Sequence, residues 1–442
     1  MKDLSVETIF LVFIHIKSIL AEEITRAIFD AMQKINPTFQ YKKVFAQTYD
    51  GANNMQGKHG GVQAMVRRQK CYFALPNHCW NHQLQLGVKK GVKGHSLIEN
   101  TLSYCEIIVK LYKYSPKRHK ILMDIKVQLC DSLATCQFTI AVGKLLGLCV
   151  TRWTCRAKSL MNYFNTYFAQ LKGFVTIMSD KELNKRLQTE QKNEIVGMLS
   201  KLQHFEFFYG LRLSAKVFEI VEKATVPMQQ ENLSASKGVR IVNKLLQELR
   251  NAKSDNEFDT LWDSVEDSRT TINGLIQQDA VCQAYGLIDE IESASAGRGA
   301  ARVAIHDIAE NVEEDENHAA KLYWKEFYVS AFEGIIADLE RRLDSDLLKT
   351  LMEMETILVK LVEAENLDFS IESIEKNYGV GTDKDEAPFG AELTKDAIKD
   401  EMGLVCDEWI KLRNHETEWR KKHPDHIYPI CGQDVIDMMI ES

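Results

Sequence analysis

Apolar positions in the first 80 residues recur at two periods, and the alternation between them predicts strands and helices in turn. Residues 9–16, IFLVFIHI, form a continuous apolar run of strand length. Residues 21–35, AEEITRAIFDAMQKI, place Ile24, Ala27, Ile28, Ala31, Met32 and Ile35 on one helical face. Glu22 and Glu23 in its first turn suit the positive end of a helix dipole. A second strand is predicted over 43–49, a glycine-weakened helix over 53–70 and a third strand over 72–79. Strands separated by helices imply crossover units and an α/β sheet.

After Cys79 the pattern turns helical, over 81 to about 125, about 139 to 179, and 181–285 with a polar break at 231–238. Residues 294–320 are small, then acidic, and read as a flexible linker. An amphipathic helix is predicted at 321–343, with Tyr323, Phe327, Phe332, Ile335, Ile336, Leu339 and Leu343 on its apolar face. A loop at 378–392 precedes a short helical tail. No repeat of fixed period is present. The expected fold class is α/β plus all-α, predominantly helical overall. The expected segments are 1–80 (α/β), 81–180 (basic and helical), 181–377 (helical body) and 378–442 (loop and tail).

The length of 442 residues is enough for two or three domains. The early apolar run is too short to span a bilayer, and Asp3 and Glu7 before it are unlike a signal peptide. Ten cysteines occur without paired CxxC spacing, which argues against a disulfide framework or zinc ribbon and for reduced, buried thiols in an intracellular protein. The net charge of −8 conceals an asymmetry. Residues 67–179 hold 17 Lys/Arg against 4 Asp/Glu, a net of +13, which leaves −21 for the remainder. Such a segment is a footprint for a polyanion, or else it pairs internally with acidic helices such as those around Glu313–Glu316.

Three short motifs carry candidate chemistry. Asp50 ends a predicted strand before a glycine-rich turn, where it either caps the turn or contributes a carboxylate to a metal site. Cys79 and His82 have CxxH spacing; with His78 and His59 they are a zinc option, but no second pair lies at finger spacing, and a buried Cys with a hydrogen-bonding His is the alternative. Arg152 and Trp153 lie in an acid-free stretch, where they either grip a phosphate and stack on a base or pack in the core.

In order and spacing these motifs resemble the hAT-superfamily transposases, specifically the transposase-derived group of the zinc finger MYM-type protein 1-like and THAP-finger repressor type. The matching stretches are FIHIKSILAEEITRAIFDAM, QTYDGANNMQGKHGGVQAMV, ALPNHCWNHQLQLGV, YSPKRHKIL, LCVTRWTCRAKSL and YWKEFYVSAFEGIIADLERRL. The resemblance implies a partial RNase H-like sheet with a large helical insertion domain. It implies that Asp50 stands at a catalytic aspartate position, that Cys79 and His82 are active-site-adjacent, and that Trp153 stacks near a transposon end. The family's first catalytic Asp, its last catalytic Glu, its N-terminal zinc finger and its dimerisation segment are not matched here; Glu441 beside Ser442 is not assigned to the missing motif.

The resulting expectation is a domesticated or decayed transposase fragment in the nucleus, catalytically inactive in strand transfer but retaining DNA or protein binding. Nucleic-acid contacts are expected at Arg67, Arg68, Lys89, Lys90, Lys117, Arg118, Arg152 and Trp153. No cofactor and no tight metal site are expected; Asp50 alone binds Mg²⁺ or Mn²⁺ weakly, since such ions need several oxygen ligands. Two alternatives stand beside this: an active transposase component completed by another chain, and a protein-interaction scaffold without DNA binding.

Overall fold

A computed structural model describes residues 12–132, 145–148, 156–374 and 421, apart from positions 42, 43, 45, 50, 51, 58, 73, 79, 146, 231, 232, 234, 287–290, 297–299, 313, 314, 344, 345 and 364–369. The chain divides into two compact units. One comprises Met1–Gln83, Met228–Ile241 and Arg342–Ser442; the other comprises Leu84–Pro227 and Val242–Arg341. The described residues are predominantly helical, with two short parallel strands. No helix among them is long and apolar enough to cross a membrane.

The first unit opens with α1 (Ala21–Ile35), at the boundaries its periodicity predicts. Its buried line is narrower than the predicted face. Thr25 and Phe29 are buried, Ile24, Ile28 and Met32 flank them, and Ile35 is exposed. The Thr25 hydroxyl donates back to the Ala21 carbonyl at 2.7 Å, which lets a polar residue sit on the buried line. Strands β1 (Ala46–Tyr49) and β2 (Leu75–His78) pair in parallel, from Ala46 opposite Leu75 to Tyr49 opposite His78. The crossover between them holds α2 (Asn53–Gln56) and α3 (Val62–Gln69). Phe29, Val62, Val66, Cys71 and Ala74 form the core under this pair.

Two expectations are corrected here. Residues 12–16 of the first predicted strand are irregular and exposed, Phe13 most of all, because no neighbouring strand among the described residues supplies the ladder that a strand needs; residues 9–11 lie outside the described set. The sheet therefore has two described strands, and no RNase H-like sheet is seen among the described residues. The helix predicted over 53–70 is broken between α2 and α3. The Gly61 amide donates to the Gly57 carbonyl at 2.8 Å, and a Cβ on Gly61 would lie 2.3 Å from the Gly57 nitrogen. Glycine at this break is a demand of backbone touching backbone.

The second unit is helical. It begins within α4 (Trp80–Val92) and continues through α5 (Ser96–Lys113), α6 (Pro116–Ser132), α7 (Ala157–Asn165), α8 (Tyr167–Ser179), α9 (Lys181–Arg186), α10 (Thr189–Leu202) and α11 (Phe205–Thr225). The chain then forms α12 (Ala235–Ala252), α13 (Asp255–Gln278), α14 (Ala280–Ala284), α15 (Ala300–Val312), α16 (Glu316–Leu343) and α17 (Asp346–Glu363). The stretch read as a flexible linker, 294–320, thus contains α15 and the start of α16.

Helix α11 is buried along most of its surface, with Glu206, Glu219 and Lys223 its exposed residues. Helices α5, α7, α10 and α13 pack around it. Phe205 and Tyr209 of α11 meet Trp262 of α13 and Trp324 of α16. The predicted apolar face of α16 holds for Phe332, Ile335, Ile336 and Leu339, which are buried. Trp324 and Tyr328, outside that face, are buried as well, while Tyr323 and Phe327 are half-buried. The contact arc of α16 is wider than one stripe.

Within this unit α4 and α16 meet backbone to backbone. A Cβ on Gly91 would lie 2.6 Å from the Ile335 nitrogen, and one on Gly334 would lie 2.6 Å from the Gly91 carbonyl oxygen. His95, just before α5, is buried; its Nδ1 accepts from the Ile98 amide and its Nε2 lies 2.8 Å from the Phe327 carbonyl. Those two partners require the neutral ring with the proton on Nε2. The free thiols of Cys71, Cys105 and Cys282 are buried, in keeping with reduced cysteines.

Gly91→Ala should lower unfolding free energy in urea by about 1–3 kcal/mol, because the backbone of α16 must move. Gly197→Ala, in α10 with open space around it, should raise stability by about 0.5–1 kcal/mol through helix propensity. Burial lowers the His95 pKa below its ordinary value of 6.5, against the opposing effect of its hydrogen bond to Phe327. Its neutral form therefore contributes full stability above pH about 6.5, and that contribution is lost as pH falls toward the depressed folded value. The melting temperature of the wild type should drop more between pH 7 and 5 than that of His95→Asn.

Candidate nucleic-acid interface

The parallel register brings the carboxyl ends of β1 and β2 side by side at Tyr49 and His78. In open parallel sheets this is the end at which ligands bind. Asp50 and Cys79 are the next residues in sequence after the two strands; both lie outside the described residues. Behind the strand ends, Gln47 is buried and its side-chain amide donates to the carbonyls of Gln63 at 3.1 Å and Ala74 at 2.9 Å. These bonds tie β1 to α3 and to the approach to β2. Burial pushes the Tyr49 hydroxyl up to about 12, with Cys71 adding to the effect.

His82 lies in the first turn of α4. Its Nε2 is buried without a hydrogen-bond partner, as is Oδ1 of the adjacent Asn81. Two neighbouring orphaned polar atoms are a cost that a ligand or water would relieve. The zinc option is not assembled: His59 sits exposed in the turn before α3, and no group of three or more His, Cys, Asp or Glu suited to a metal occurs among the described residues.

The basic residues have separate fates. Arg67 and Arg68, in the last turn of α3, turn their guanidinium groups onto local carbonyls: Arg67 donates to Tyr72, and Arg68 to Ala64 and His59. Lys89 and Lys90 are exposed in the last turn of α4, and Lys90 is ion-paired with buried Asp338 of α16 at 3.3 Å. Lys172, in α8, pairs with Asp279 at 2.7 Å. Lys117 is exposed on α6. Its neighbour Arg118 is buried, with Nε donating to the Leu111 carbonyl at 2.6 Å. Burial lowers its pKa, opposed by Tyr112 and Glu194, and the side chain fastens the last turn of α5 to α6. Arg152 and Trp153 lie outside the described residues. Arg67 and Arg68 belong to one compact unit, and Lys89, Lys90, Lys117 and Arg118 to the other.

Sequence reading passed over the neighbours of Lys117. Lys110 and Lys113 on α5, Tyr114 between the helices and Lys120 on α6 are all exposed. The available signal was the absence of any acidic residue from Ile107 to Met123, a span with five Lys/Arg.

No family model matches the chain, and no solved structure matches it. A stretch of 68 residues is 35% identical to Serendipity locus protein delta of Drosophila melanogaster. That stretch covers 15% of this chain and 14% of that protein, so the chain spans about a seventh of its relative's length.

Arg118→Ala should lower stability by about 1.5–3 kcal/mol, the worth of a hydrogen bond to a charged group, whereas Lys117→Ala should leave it within about 0.5 kcal/mol. Thermal or urea unfolding of the two variants side by side measures the contrast.

Proposed function

We propose that this chain is a nucleic-acid-binding protein derived from a hAT-type transposase, without strand-transfer activity of its own. The motif order from QTYDGANNMQGKHGG through LCVTRWTCRAKSL supports the origin, and with it the reading of β1 and β2 as part of an RNase H-like sheet whose helical insertion is the larger unit. On that reading Asp50 is the catalytic-position carboxylate, and Cys79 and His82 stand next to it. The orphaned Nε2 of His82 fits a position beside a ligand rather than in a closed core. The activity proposed is binding, with Mg²⁺ or Mn²⁺ held only weakly at Asp50, since such ions need several oxygen ligands. DNA is the proposed partner and the nucleus the proposed location.

The observation that carries binding is the charge of residues 67–179, +13 in a protein of net −8. The pairs Lys90–Asp338 and Lys172–Asp279 neutralise part of it and are what a scaffold reading would extend to the whole segment. Exposed lysines at 110, 113, 117 and 120 have no carboxylate partner among the described residues and favour binding.

The test is a titration with labelled DNA across salt. Affinity should fall steeply between roughly 50 and 200 mM, as expected when phosphate contacts release counterions. Replacing Arg67, Arg68, Lys89, Lys90, Lys117 and Arg152 with Gln in groups should flatten the slope. A flat response in the wild type would leave the scaffold reading in its place.

A further inference from the structure

The corner between α5 and α6 gathers a set of groups that the fold itself does not use. Within eleven residues, KLYKYSPKRHK, it carries Lys110, Lys113, Lys117, Arg118 and Lys120. Arg118 is consumed by its bond to the Leu111 carbonyl, and that bond fixes the two helices at the corner. The Arg118 amide is also held by the Ser115 hydroxyl at 3.4 Å, so the turn is set by local bonds. The four lysines remain exposed. Between the helices Tyr114 is 73% exposed, unlike the tyrosines buried in the same unit. Its ring is paired with no other aromatic ring among the described residues, and Lys113 Nζ lies 5.9 Å from the ring centroid.

An exposed aromatic ring between two helix ends that carry exposed lysines has the chemistry of a base-stacking platform. The ring offers an apolar face that any unpaired base can cover, and the ammonium groups carried by α5 before it and α6 after it suit the phosphates that flank that base. A duplex offers no free base face, and an acidic peptide would use the lysines but not the ring. We infer that the α5–α6 corner is a contact site for single-stranded nucleic acid, with Tyr114 stacking on an unpaired base and Lys110, Lys113, Lys117 and Lys120 holding the neighbouring phosphates. The inference rests on the nucleic-acid reading above and narrows it to one surface and one form of ligand.

The test uses the full chain and three probes: labelled oligothymidylate, a blunt duplex, and poly-glutamate as a competitor. Tyr114→Ala should weaken oligothymidylate binding by about five- to a hundredfold, the loss of one stacked base, with little change for the duplex. Tyr114→Phe should bind as the wild type does, because the ring and not the hydroxyl makes the contact. Changing the four lysines together to Gln should reduce the salt slope by roughly 0.7 for each phosphate that is no longer neutralised. All five side chains are exposed, and unfolding curves that match the wild type establish that each variant is folded. Wild-type affinity for oligothymidylate in both Tyr114→Ala and the lysine variant overturns the site while leaving nucleic-acid binding elsewhere. Equal weakening of single strand and duplex by Tyr114→Ala overturns stacking, and poly-glutamate competing as well as oligothymidylate overturns the choice of ligand. Absence of binding to either nucleic acid by the wild type overturns both the site and the reading it rests on.

Discussion

The larger unit depends on hydrogen bonds that join its segments inside the core built around helix α11. Helix α11 buries most of its residues, so other helices must pack around it, and each polar group carried into that interior needs a partner. The buried tyrosine hydroxyls find theirs on main-chain carbonyls of other segments. Tyr112 donates to the Gln170 carbonyl, Tyr163 to Cys105, Tyr167 to Leu202, Tyr209 to Trp324 and Tyr328 to Ala252, at 2.6–3.1 Å. Trp324 does the same with its indole nitrogen, to Ala294. Each ring fills core volume while its polar end crosses to a different segment, so one residue type supplies both packing and long-range connection.

The sequence carried the local elements better than their partners. The boundaries of α1 were legible because a run of periodic apolar residues with acidic residues in the first turn has one reading. Strands were legible as positions at 46–49 and 75–78, but their number was not, since a run such as IFLVFIHI becomes a strand only beside another strand. The face of α16 was misread at Trp324 and Tyr328 because a single-stripe pattern assumes one neighbour, and this helix has several. The backbone approach of Gly91 to α16 involves a residue some 240 positions away, and no local pattern announces it.

The candidate site shows the same limit in electrostatic form. The excess of basic residues was plain in composition, yet composition treats Lys117 and Arg118 as equals. The helix turns one outward and the other onto the Leu111 carbonyl. Lys90 likewise counts as a surface cation until Asp338 is found beneath it. His82 was picked from its spacing to Cys79, and its unpartnered Nε2 is a property that only the packed helix reveals.

The buried tyrosines also make the larger unit an optical gauge of its own integrity. Burial holds the hydroxyls of Tyr112, Tyr163, Tyr167, Tyr209 and Tyr328 far above the value near 10 at which they would ionise in an open chain. Their neutral forms therefore favour the fold below pH about 10, and that advantage drains away as alkali ionises the open chain first. Tyrosinate absorbance from these five residues in strong alkali would then arrive as one cooperative step set by unfolding.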